Sequence, residues 1–191
     1  MTEPIDLRPA TTRMATLVEG VPDDALDRPT PSGDFTVGDL LDHVGGAALA
    51  FAAAAVKRPL GPPPEPSGGN LGADWRVRIA ADVRALGEAW RDPEAWTGTT
   101  GAGGVELPGE VAGVVGLDEM LVHGWDLAVA TGQPAGYDGP GLDAVLAMVH
   151  QFREAGVPAL FGPEVPVPAD APMLDRVLGA AGRDPQWAPP A

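Results

Sequence analysis

The chain has 191 residues, 45% hydrophobic and 20% charged, the balance of one soluble domain spanning 1–191. A net charge of -15 repels phosphate backbones and anionic bilayers, so neither nucleic acid nor a membrane is an expected partner. Cysteine is absent, which excludes a disulfide framework, a thiolate metal site and a cysteine nucleophile; any thiol chemistry must use a thiol from outside.

The first segment, MTEPIDLRPATTRM, has no basic flank followed by an apolar core, and no apolar run reaches about 18 residues. A cytoplasmic protein is expected. A single lysine, Lys57, among abundant Ala, Gly, Pro and Arg points to a GC-rich bacterial genome, of the actinobacterial kind.

Apolar residues at helical spacing predict a helix over 7–19, stopped by Gly20 and Pro22. After a turn-rich loop, Thr36 with Asp39 three residues on forms a capping-box pattern and opens a helix over 37–56. PLGPPPEPSGGN, at 59–70, lacks donors and has loose glycines, so it reads as a loop. A third helix is predicted over 73–90, with Trp75, Ile79, Val83, Leu86 and Trp90 on one core stripe. Residues 97–108 read as a loop with room for a small hairpin. A long helix follows over 109–130, closed by Gly132 and Pro134, then one over 142–154, an extended tail, FGPEVPVPAD, and a short helix over 172–181. No set of core strands appears. The expected fold is an all-α four-helix bundle with an additional C-terminal helix and an extended tail.

Residues 117–128, LDEMLVHGWDLA, are apolar enough for a core yet carry Glu119, His123 and Asp126. Positions four and seven apart return to one helix face, so these three share a stripe, with Asp118 off it. An unpaired buried carboxylate is costly, so a stripe on an otherwise apolar helix calls for a partner. A glutamate and a histidine one turn apart suit one metal ion. His43 offers a third ligand, flanked by Gly45 and Gly46, small enough to let helices approach. Against this stand plainer readings: a surface Glu–His pair, a core His43, a solvated Asp126. His150 reads as a partly exposed histidine near a helix C-terminus. The chain has no GxSxG, HExxH or phosphate-loop signature, and TGTTGAGG follows no strand.

VPDDALDRPTPSGDFTVGDLLDHVGG resembles the N-terminal part of the DinB-like metalloenzymes, in the branch of the mycothiol-dependent maleylpyruvate isomerase N-terminal domain. DEMLVHGWDLAVATGQP resembles that family's second metal segment, and FGPEVPVP to GRDPQW is similar to the ending of small stand-alone metal-binding members. The likeness runs over nearly the whole chain. It implies a four-helix bundle holding one divalent ion through His43, Glu119 and His123. Asp126 matches the motif's trailing aspartate, a candidate catalytic residue that orients His123 or contacts substrate. The isomerase carries a further C-terminal domain, and this chain is too short to include a comparable one. Maleylpyruvate isomerisation itself is therefore not implied.

Two imidazoles and a carboxylate favour Zn²⁺, with Ni²⁺, Fe²⁺, Co²⁺ and Mn²⁺ left open, and leave a coordination position for water or substrate. The resemblance points to a low-molecular-weight thiol such as mycothiol as co-substrate. The expected activity is thiol S-transfer to, or thiol-assisted isomerisation of, a small electrophile. A hydrolase or lyase using metal-activated water, and a metal- or ligand-binding protein without catalysis, are the alternatives. The loops 60–70 and 97–108 are expected to border the metal mouth. Abundant Ala and Gly leave a homodimer open.

Overall fold

The computed structural model describes residues 4–156 and 161–190; the first three residues of the segment read for a signal lie outside them. The chain runs α1 (Arg8–Glu19), α2 (Val37–Ala55), α3 (Trp75–Ala89), β1 (Thr99–Ala102), β2 (Val105–Pro108), α4 (Gly109–Thr131), α5 (Leu142–Glu154) and α6 (Met173–Ala180). Helices α1 and α2 each pack against both α3 and α4, which closes a four-helix bundle, and α5 docks on α4 and carries α6. The expected all-α four-helix bundle is the observed architecture, followed by two C-terminal helices, α5 and α6, rather than one, with helix ends within about two residues of those predicted from capping signals.

The capping box forms as expected. The Asp39 N–H donates to Thr36 Oγ1 at 3.2 Å and the Thr36 N–H donates to Asp39 Oδ2 at 2.9 Å, which fixes the start of α2. By length and composition alone helix α2 could cross a bilayer, although Asp39, Asp42 and His43 interrupt its apolar run. Its buried Leu40, Leu41, Val44, Ala48 and Phe51 are spent on protein packing instead.

Trp75, Ile79, Val83, Leu86 and Trp90 are all buried, as their spacing predicted. The Trp90 Nε1–H donates to the Phe51 carbonyl at 3.0 Å, satisfying the indole inside the core. Gly113 of α4 lies under Trp90 and Trp96, where a Cβ would come within 2.8 Å or less of both rings. Helix α4 ends at Gly132, whose φ of 71° is the left-handed conformation glycine adopts without strain.

Strands β1 and β2 pair antiparallel from Thr99 opposite Pro108 to Ala102 opposite Val105, turning at Gly103 and Gly104, both with positive φ. The hairpin does not border the metal mouth. Thr100 Oγ1 donates to the carbonyl of Ala54, at the C-terminal end of α2, eleven residues or about 16 Å of helix beyond His43. The groove of about 440 Å³ lined by Lys57, Leu60, Thr100 and Glu106 belongs to that far end. Residues 67–70 lie elsewhere: the N–H of Gly68 donates to Asp39, and Ser67 and Asn70 donate to Asp42, on the α2 turn that carries His43.

Candidate metal centre

His43 on α2 and Glu119 and His123 on α4 meet across the bundle, as their spacing and the motif led us to expect. His43 Nε2 is 2.9 Å from Glu119 Oε2, and His123 Nε2 is 3.4 Å from the same oxygen. The two imidazoles sit edge to face with centroids 4.7 Å apart, and the Phe35 ring lies tilted against His43 with centroids 5.9 Å apart. One ligand atom from each residue lies within 4.8 Å of the other two. A tetrahedral ion with ligand bonds near 2.0–2.1 Å places its donors about 3.3 Å apart. The two His–Glu separations fall on either side of that spacing, so the donor set fits one small divalent ion. The side chains remain 27%, 23% and 13% exposed for His43, Glu119 and His123, so the cluster opens to the surface.

The electrostatics are mutually supporting. Burial works against the Glu119 carboxylate, but the His43 hydrogen bond and the charges of His123, His43 and Arg183 outweigh it and hold its pKa below the usual 4.5. Burial also works against protonation of His43, yet the Glu119 hydrogen bond and charge prevail and raise its pKa above 6.5. In the metal-free cluster His43 therefore shares a proton with a carboxylate that an ion would otherwise neutralise.

The remaining polar residues of the motif take different places. Asp126 is fully buried, and its Oδ2 lies 2.9 Å from His123 Nδ1. A carboxylate only accepts, so Nδ1 donates to Asp126 and Nε2 is the ring nitrogen turned toward Glu119 and the cluster. Arg183 closes on both Asp126 oxygens. Asp126 thus stands behind His123 and presents no free oxygen to a substrate. Asp118 is also buried, and its Oδ1 has no partner among the described residues. Burial, with the charges of Glu119 and Asp126 added, pushes its pKa up to about 8. Gly45 makes room for Ile79 of α3 rather than for the cluster, and a Cβ on Gly46 would meet open space. His150 is exposed on α5, away from the other two histidines. Sequence reasoning missed Arg183; no local pattern marks an arginine 57 residues beyond its partner.

Residues 7–128 match the family described as the mycothiol maleylpyruvate isomerase N-terminal domain. The chain belongs to this family. Two relatives from Mycobacterium tuberculosis, strains CDC 1551 / Oshkosh and ATCC 25618 / H37Rv, are both described as uncharacterized proteins. Each is 32% identical over 174 residues, covering 88% of this chain and 91% of its own. Among solved structures, the crystal structure of the mycothiol-dependent maleylpyruvate isomerase superposes with a TM-score of 0.69 at 19% identity, covering 94% of this chain and 88% of that one. At that identity the likeness is one of fold, and the fold is the DinB-like bundle. The likeness takes in most of the isomerase chain.

Proposed function

We propose that this family member is a divalent-metal-dependent enzyme that uses a low-molecular-weight thiol of the mycothiol type, joining the thiol through its sulfur to a small electrophile or isomerising the electrophile through reversible thiol addition. The carrying observation is the convergence of His43, Glu119 and His123 from two helices into a part-exposed cluster of ion-sized spacing. Family membership and the fold of a mycothiol-dependent isomerase support the choice of thiol, and the cysteine-free sequence agrees with one supplied from outside.

A bound divalent ion would supply a Lewis acid that lowers the pKa of a thiol reaching its open position. The chain's own residues prepare the place. Glu119, kept ionised by two imidazoles and Arg183, contributes the one negative charge. To hold the ion, His43 would give up the Nε2 proton it shares with Glu119, freeing that nitrogen's lone pair as a ligand. His123 is held by Asp126 in the tautomer whose Nε2 is free. Asp118, buried without a cation partner, stays protonated beside this set and adds no second charge.

The test is elemental analysis of tag-free protein together with a thiol-addition assay on a small electrophile such as a maleyl compound. One ion per chain, lost in Glu119→Ala and His123→Ala, with thiol addition only in the loaded protein, is the expected result. A Glu119→Ala protein that still holds stoichiometric metal refutes the site. Turnover by the loaded protein without thiol would replace the thiol reading with hydrolase or lyase chemistry.

A further inference from the structure

The C-terminal segment reaches back into the cluster through one side chain. Arg183 Nε donates to Asp126 Oδ1 at 3.1 Å and Nη2 donates to Asp126 Oδ2 at 3.0 Å, a two-point grip on a carboxylate with no exposed surface. Nη2 also donates to Ser32 Oγ at 3.1 Å, in the loop before α2, and Nη1 donates to the Ala181 carbonyl at 3.3 Å. With four of five N–H groups so engaged, this arginine is occupied by protein and is not waiting for a substrate anion.

Its placement is built into the backbone. Helix α6 ends in a Schellman motif: the Gly182 N–H donates to the Gly179 carbonyl at 3.0 Å and the Arg183 N–H donates to the Leu178 carbonyl at 2.8 Å. Gly182 has a φ of 82°, and a Cβ there would come within 2.8 Å of the Gly162 backbone. The turn sends the chain back toward α4. Asp126 in turn faces His123, so a continuous path runs from the tail to a cluster nitrogen. Arg183 lies well beyond residue 128, where the family match ends.

We propose that Arg183 is a positioning residue of the metal centre: by gripping Asp126 it holds His123 with Nε2 toward the ion, and it ties the α6 end and the Ser32 loop to that geometry. The physical basis is that a buried carboxylate without its cation turns, hydrates or picks up a proton, and each of these loosens the imidazole it orients. Groups that orient a metal-bound histidine typically change affinity by 10–100-fold when removed. This rests on the metal reading above.

The experiment is competitive Zn²⁺ titration and the visible spectrum of the Co²⁺-loaded protein, for wild type, Arg183→Met, Arg183→Lys, Asp126→Asn and the Asp126→Asn/Arg183→Met double variant. Circular dichroism and metal-free unfolding establish the folded fraction of each. We expect Zn²⁺ affinity to fall about 10–100-fold in Arg183→Met with an altered Co²⁺ spectrum, to be partly restored in Arg183→Lys, and to fall no further in the double variant than in Asp126→Asn. If Arg183→Met does not fold, Arg183→Lys and Asp126→Asn carry the same comparison. Wild-type affinity and an unchanged Co²⁺ spectrum in the folded arginine variants, with only lowered stability, would overturn the proposal and leave the metal reading standing. A wild-type protein that binds neither ion would overturn both.

Discussion

Asp118→Asn is the most quantitative perturbation the cluster offers. Asp118 is 7% exposed, its Oδ1 has no partner among the described residues, and its pKa rises from 3.8 to about 8. The folded protein thus keeps a proton that the unfolded chain releases above pH 4. Stability must fall as pH rises between the two values, by up to about 1.4 kcal/mol per pH unit. Between pH 5 and 7 this amounts to about 3 kcal/mol, a large share of a stability of about 5–15 kcal/mol. Asparagine carries no proton to release, so that slope should vanish. His43 acts in the same direction, since its raised pKa makes a contribution that is complete below 6.5 and lost as pH climbs through the folded value. Both proteins share that term, so their difference isolates Asp118. The assay is urea unfolding of both proteins with metal chelated, at pH 5, 6 and 7. Equal slopes would mean that Asp118 is ionised in the fold and that its burial does not govern its charge.

Other outcomes follow from the same geometry. Zn²⁺ affinity should climb with pH by up to about tenfold per unit below the raised pKa of His43, because binding displaces its proton; calorimetry in buffers of different ionisation heat reads the release, and a flat profile from pH 5.5 to 7.5 would remove His43 from the ligand set. Thr36→Ala breaks the capping box about two turns before His43 and should cost about 1 kcal/mol by chemical denaturation, whereas Thr36→Asp should retain most of it. Gly113→Ala drives a methyl into Trp90 and Trp96, so a loss of about 1–3 kcal/mol and a shifted tryptophan emission are expected; unchanged stability would mean that the two rings can move aside.

Much of the architecture was legible because its signals are local. Capping at Thr36 and Asp39, the glycine stop at Gly132 and the stripe from Trp75 to Trp90 each depend on residues within a turn or two, and each formed as its spacing dictates. The pairing of Glu119 with His123 is equally local, being one helical turn. His43, 76 residues away from Glu119, was singled out by the small residues beside it and by the family motif rather than by any local pairing.

Contacts across the bundle were another matter. The face that Gly45 presents depends on which helix lies beside it, and that neighbour is α3 through Ile79. Asp118 and Asp126 have the same side chain eight residues apart on α4, yet one is buried without a cation and the other lies between His123 and Arg183. Hydrophobic period cannot separate them, because burial and partnership are set by elements that arrive from elsewhere. The hairpin's place at the far end of α2 likewise follows from the hydrogen bond between Thr100 and Ala54, 46 residues apart. Helices, caps and the Glu–His turn were therefore determined by the sequence alone, since backbone geometry acts at short range. The use of Asp126, the isolation of Asp118 and the reach of Arg183 were decided only when the tertiary structure closed, because a buried charge is tolerated or not according to what the fold places against it.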